Sequence, residues 1–165
     1  MKMRSLQSYI LEGKKFVVFV MCGIPGSGKS TWAKEKYPDL TIVSRDEVRA
    51  KLGFTENSDE KVVLTAGQEK EVTTEEYSQI AKFAKKKQSF IVDDTNTTPK
   101  YRKNLISTLK GYGAYVIGVN MNTPLEICIN RRRGQIPASV MEQLFRKALP
   151  LRKEDVDELL EVKGY

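Results

Sequence analysis

An unbroken apolar run, Phe16–Cys22, leads directly into Gly23-Ile24-Pro25-Gly26-Ser27-Gly28-Lys29-Ser30. A β-favouring run without polar alternation is the pattern of a strand covered on both faces, as in a parallel sheet. The turn after it matches G-x-x-x-x-G-K-[ST], whose glycines fold the backbone so that successive N–H groups point at phosphate oxygens. The helix expected next adds the positive end of its dipole. In that geometry Lys29 reaches the β- and γ-phosphates, and the Ser30 hydroxyl is a ligand for Mg²⁺. Strand before and helix after separate this reading from an ordinary glycine turn. The candidate nucleotide-binding residues are therefore Gly23, Pro25, Gly26, Ser27, Gly28, Lys29, Ser30 and Thr31.

Strand-like and helix-like stretches then alternate to the end of the pattern. Leu40–Ser44, Ser89–Asp93 and Ala114–Asn120 read as further strands. Helical stretches follow Gly28 as far as about Pro38 and cover Asp46–Leu52. In the polar segment Asn57–Lys87, Tyr77, Ile80, Ala81 and Ala84 share one helical face, with Gly67 a candidate break. Thr98-Pro99 offers an N-cap and a first-turn proline to a helix reaching Gly111. Thr123-Pro124-Leu125-Glu126 reads as a capping box for a helix burying Leu125, Cys128 and Ile129. Pro137 opens another, with Val140, Met141, Leu144, Phe145 and Ala148 on its apolar face. With 165 residues, 40% of them apolar, the chain has enough for one domain with a real core. The expectation is an α/β, three-layer P-loop NTPase-type domain over 1–165. It has a mostly parallel four- or five-stranded sheet and a helical lid. Residues 1–14 and 151–165 carry no assignment.

Ligands of such sheets bind at the carboxyl ends of the strands, so the loops after Cys22, Ser44, Asp93 and Asn120 converge. The chain has no histidine, which excludes Ser-His and Cys-His nucleophiles and His-ligated metals. Proton abstraction near neutral pH then falls to a carboxylate or a lysine. Ser44-Arg45-Asp46-Glu47-Val48-Arg49 follows the second strand. Asp46 there faces the γ-phosphate and can take a proton from an attacking hydroxyl, while Arg49 can hold an acceptor phosphate bidentately. A capping Asp beside a surface Arg is the plain alternative. Asp93-Asp94 closes the third strand as a Walker-B-type Mg²⁺ partner, with Asp94 also able to orient an acceptor; an Asx turn competes with that reading. Arg131-Arg132-Arg133 before Gly134 and Pro137 looks like a hinged lid whose arginine neutralises a transferred phosphoryl, or like cations at a helix end. Three consecutive arginines cannot share a face, so they are expected to divide between these roles.

Lys plus Arg number 28 against 21 Asp plus Glu, a net charge of +7 that favours an anionic partner. Lys85-Lys86-Lys87 reads as a solvated helix end, and Lys100, Arg102 and Lys103 as contacts to a phosphate backbone. Cys22 and Cys128 lack metal spacing and read as buried thiols of a reducing compartment. The longest apolar run, Phe16–Ile24, has nine residues against the roughly 20 of a membrane helix. No apolar signal core opens the sequence, and the expectation is a soluble, cytoplasmic protein without a membrane partner.

The series Gly-Ile-Pro-Gly-Ser-Gly-Lys-Ser-Thr-Trp-Ala, Ser-Arg-Asp-Glu-Val-Arg, Asp-Asp-Thr-Asn-Thr-Thr-Pro and Arg-Arg-Arg-Gly-Gln-Ile-Pro resembles the 5′-hydroxyl polynucleotide kinases of phage and bacterial end-repair systems. The resemblance covers about Phe16 to Leu149. It implies that Lys29 and Ser30 bind ATP and Mg²⁺, that Asp46 is the general base, and that Arg49 binds the phosphate next to the 5′ end. It further implies that Asp94 and Asn96 line the acceptor site and that Arg133 is the lid arginine on the ATP phosphates. The implied catalytic set is Lys29, Asp46 and Arg133, and the implied partner a single-stranded or end-frayed DNA or RNA 5′-OH terminus. The position of a second lid arginine in some members is Ile129 here, and no Asp-x-Asp-Gly-Thr phosphatase segment is present. Two other functions share the motifs: a P-loop kinase of a small metabolite or of aminoacyl-tRNA, and a non-catalytic, nucleotide-dependent nucleic-acid-binding module.

Overall fold

The computed structural model describes residues 3–14, 16–55 and 63–165. The strands are β1 (Val17–Cys22), β2 (Thr41–Val43), β3 (Phe90–Val92), β4 (Tyr115–Met121) and β5 (Glu158–Val162). The helices are α1 (Leu6–Leu11), α2 (Lys29–Lys36), α3 (Arg45–Lys51), α4 (Ala66–Lys85), α5 (Pro99–Gly111), α6 (Leu125–Arg131) and α7 (Ala138–Lys147). The strands form one sheet in the order β2-β3-β1-β4-β5, every pair parallel.

β1 lies at the centre and is buried throughout, as its apolar run requires. Its alternate residues feed two cores. Phe16, Val18, Val20 and Cys22 meet Ile80 and Ala84 of α4 and Leu105, Ile106 and Leu109 of α5. Val17, Phe19 and Met21 meet Trp32 and Ala33 of α2, Tyr37, and Tyr9 of α1. This is the expected three-layer arrangement. Because all five strands run the same way, Cys22, Val43, Val92 and Met121 deliver their loops to one edge.

The ends of the chain, left unassigned by sequence, complete the sheet and one face. β5 pairs with β4, and Tyr9 of α1 donates to Glu158 Oε1 (2.9 Å) at the start of β5. Gly67 does not break α4: it lies in the first turn, behind a Thr65–Gln68 capping box. Residues 57–62 of the polar segment lie outside the described residues. Thr98 precedes α5 and Pro99 opens it, as expected, though the Thr98 side chain makes no cap hydrogen bond. The capping box at Thr123 is absent. Pro124 is the N-cap of α6, and Thr123 Oγ1 donates instead to Ser27 O (2.7 Å) and Tyr165 O (3.1 Å). The apolar face expected for α7 is largely unpartnered. Met141 is buried against Ile24 and Cys128, while Val140, Leu144 and Phe145 stand exposed. Both cysteines are buried free thiols.

Candidate active site

The turn between β1 and α2 is a phosphate cradle in shape as well as sequence. Gly26 (φ +81°) and Gly28 (φ +91°) both lie in the left-handed region that favours glycine. A Cβ on Gly26 would come within 2.8 Å of Cys128 O, so the loop can approach α6 only without a side chain there. Gly28 is the N-cap of α2 and supplies no side-chain cap, so the first N–H groups of that helix are left for a ligand. The Ser27 side chain is buried beneath the loop, and its hydroxyl has no hydrogen-bond partner among the described residues. Lys29 Nζ lies back across the loop on Gly23 O (3.0 Å) and Ile24 O (3.1 Å).

Ser30 Oγ donates to Asp93 Oδ2 at 2.5 Å, across the gap between α2 and the end of β3. A hydroxyl paired with a carboxylate at a phosphate cradle is the hard-oxygen donor set that suits Mg²⁺, which takes its other ligands from phosphate and water. Among the described residues no three acidic or sulfur side chains cluster as an all-protein metal site.

The loop after β2 brings the next residues in. One cavity of about 370 Å³ is lined by Pro25, Lys29 and Ser30 of the cradle, by Asp46 and Arg49 of α3, by Asp93 and Asp94 after β3, and by Arg132. Asp46 Oδ1 accepts from Arg49 Nη1 at 2.8 Å, and Arg49 Nη2 also reaches Glu69 Oε1 at 3.4 Å. The Arg49 Nε is buried without a partner among the described residues. Both terminal nitrogens of Arg49 are thus paired with carboxylates at the cavity wall, where an anion would compete with them for the guanidinium.

Asp94 is half-buried. Its Oδ1 accepts the Arg45 N–H at 2.8 Å. Burial first, then the hydrogen bond and charge of Glu76, hold its pKa well above the usual carboxylate range, against the opposing pull of Arg45. Arg45 spans the pair: Nη1 donates to Glu76 Oε2 (3.0 Å) and Thr73 Oγ1 (3.0 Å), and Nη2 to Glu69 Oε2 (2.7 Å). Its own pKa is lowered by burial and raised by more through Glu76 and Glu69, leaving a fixed cation. No role was assigned to Arg45, Glu69 or Glu76 from sequence. The signal was the polar stripe Glu69, Thr73, Glu76, which repeats at helical spacing on α4.

The other expected site residues lie outside this cavity, Asn96 in the wall of a neighbouring one that also includes Asp94. The Asn96 carboxamide donates to Met21 O (2.8 Å), so this side chain ties the loop after β3 to β1. Gly23 N–H donates to Thr95 O (2.9 Å) and joins the same loop to the cradle. Arg133 is outside the cavity: it is exposed and donates to Asn130 Oδ1 (2.9 Å). The chain turns after α6, and one residue of rotation carries Arg133 to the outer face. Arg132 lies over Gly26 and lines the cavity in its place, and Arg131 Nη1 bridges Gly26 O (3.0 Å) and Tyr165 O (2.8 Å). Thr31 is exposed and lines a smaller cavity together with the cradle residues Gly26, Gly28, Lys29 and Ser30. Arg102 is buried and donates to Asn96 O (3.1 Å), Leu149 O and Pro150 O (2.9 Å), which removes it from the surface. No described helix is long and apolar enough to cross a membrane.

Residues 18–148 match the AAA_33 family, described as an AAA domain. The chain belongs to that family. It is 26% identical over 141 residues to an L-seryl-tRNA(Sec) kinase of Methanococcus maripaludis, covering 79% of this chain and 52% of that protein. The chain thus spans about half the length of this relative. Among solved structures, a chain of the Pnkp1/Rnl/Hen1 RNA repair complex superposes with a TM-score of 0.68 at 24% identity, covering 79% of this chain and 43% of that one. The Mycobacterium tuberculosis APS kinase CysC superposes with a TM-score of 0.57 at 18% identity, covering 88% and 87%. The AAA_33 chain therefore has the α/β fold of P-loop kinases, with a five-stranded parallel sheet.

Proposed function

We propose that this AAA_33 domain is a polynucleotide 5′-hydroxyl kinase, transferring the γ-phosphoryl of ATP or another NTP to the 5′-OH end of DNA or RNA. The observation that carries this reading is one shared cavity. Asp46 and Arg49 line the same space as Lys29 and Ser30. A nucleotide switch needs the cradle but has no use for a carboxylate and an anion-binding arginine opposite it.

With nucleotide bound, Lys29 exchanges its two carbonyl partners for phosphate oxygens, and the uncapped amides of α2 hold the others. Mg²⁺, held by Ser30 and Asp93, would supply charge neutralisation on the phosphates. Arg49 holds the phosphate next to the 5′ terminus and aligns the hydroxyl. Asp46 takes the hydroxyl proton as the 5′ oxygen forms its bond to the γ-phosphorus. The bond from that phosphorus to the β,γ-bridging oxygen breaks, and the nucleoside diphosphate leaves with the electron pair. Arg132 offsets the charge on the equatorial oxygens.

The similarity to L-seryl-tRNA(Sec) kinase favours a second reading, in which the acceptor hydroxyl belongs to seryl-tRNA. Both readings put an RNA-type polyanion at Arg49. The deciding experiment offers γ-labelled ATP with 5′-OH DNA and RNA oligonucleotides, seryl-tRNA and small hydroxylated metabolites. Label on the oligonucleotides supports the proposal. Label confined to seryl-tRNA or to a metabolite overturns it in favour of that acceptor.

A further inference from the structure

Past Asp94 the catalytic cavity opens into a second one of about 580 Å³, between the first half of α4 and the start of α5. Arg45, Asp94 and Thr95 belong to the walls of both. The second cavity has two rings in its lining, Tyr77 from α4 and Tyr101 from α5. Asn104 Nδ2 donates to Tyr77 Oη (3.2 Å), which pins one helix to the other beneath it.

Tyr101 is 73% exposed and makes no core contact to explain its size. The exposed cation Lys70 lines the same cavity as Tyr101, and Lys100 is its exposed neighbour in sequence. The acids of the second cavity are already engaged: Glu76 by Arg45, Glu69 by Arg45 and Arg49, and Asp94 by the Arg45 N–H. An aromatic ring among cations, at the exit of a site that binds an anion, suits unpaired nucleic acid, where bases stack and phosphates are neutralised.

We infer that this groove takes the nucleotide following the phosphate held by Arg49, its base stacked on Tyr101 and its phosphate near Lys70. The inference rests on the polynucleotide reading above and adds to it a preference for an unpaired second nucleotide. The groove reads no base edge in particular, so stacking makes it tolerant of sequence.

The test uses the full chain, wild type, Tyr101→Ala and Tyr101→Trp, with three 5′-OH acceptors: a nucleoside 3′-phosphate, a hexanucleotide, and the hexanucleotide with its second residue abasic. Tyr101→Ala is expected to raise KM for the intact hexanucleotide about tenfold, with kcat and the KM for ATP unchanged. The nucleoside 3′-phosphate is unaffected, and Tyr101→Trp restores the hexanucleotide. The abasic acceptor shows the same loss with wild type and no further loss with Tyr101→Ala. The groove assignment is overturned, with the polynucleotide reading intact, if the wild type phosphorylates the hexanucleotide and Tyr101→Ala leaves its KM within about twofold. It is equally overturned if Tyr101→Ala weakens the nucleoside 3′-phosphate as much as the hexanucleotide. A wild-type protein that phosphorylates none of the three overturns the polynucleotide reading itself.

Discussion

Two carboxyl groups, Asp94 and Glu76, meet beneath Arg45. Burying a pair of acids costs stability, and the fold tolerates it at the edge of the acceptor space. Because the Asp94 pKa is raised in the folded protein, the folded state holds a proton that the unfolded chain releases at lower pH. Its contribution is therefore fully present below the ordinary carboxylate pKa and is lost as pH rises through the raised one. Asp94→Asn keeps an acceptor for the Arg45 N–H and cannot ionise. Thermal denaturation should show the variant gaining Tm over wild type at about pH 8.5, with a smaller gain at about pH 5. Kinase activity should fall at both. A Tm difference independent of pH would remove the assignment of a raised Asp94 pKa. At the lid, Arg132→Ala should lower kcat by about 10² or more, while Arg133→Ala stays within about threefold. The reverse order in steady-state kinetics would restore the arginine expected from sequence.

α2 carries both Lys29 and Ser30 yet buries only Trp32 and Ala33. One indole, packed against Phe19 and Tyr37, thus anchors the helix that presents the cradle. Trp32→Ala should cost about 3–5 kcal/mol, which lowers Tm by about 10 °C, and should weaken nucleotide binding in titration calorimetry. Unchanged nucleotide affinity would mean that the loop holds its shape without the helix. Elements of this kind were legible in the sequence because each announces itself locally: an apolar run, a glycine turn, a proline at a first turn. β1, the cradle and the Asp46–Arg49 spacing all appear where the residues placed them. What was not legible depends on tertiary partners. The orientation of Arg132 against Arg133 is set by how the chain leaves α6, and Arg102 reads as a ligand contact until its carbonyl partners after α7 are known. Thr123 looks like a cap until Ser27 O lies within its reach. Edge strand β5 carries too little alternation to declare itself, and it forms because β4 offers an open edge.

At the scale of the whole molecule, parallel strands bring loops distant in sequence to one edge, and the chemistry depends on that convergence. The cradle follows β1, the proposed base follows β2, and the metal and acceptor carboxylates follow β3. The net charge of +7 gives the chain a general attraction for polyanions, but the cavity decides where one would end. Everything proposed for the molecule reduces to a proton leaving an acceptor hydroxyl for Asp46 while the cradle holds the nucleotide. The direct test is single-turnover transfer from γ-labelled ATP to a 5′-OH oligonucleotide by wild type and Asp46→Asn, alongside ATP affinity. Wild type should transfer label, and the variant should bind ATP equally well while transferring it at least about 10² times more slowly. An Asp46→Asn protein that phosphorylates the oligonucleotide at the wild-type rate would contradict the account.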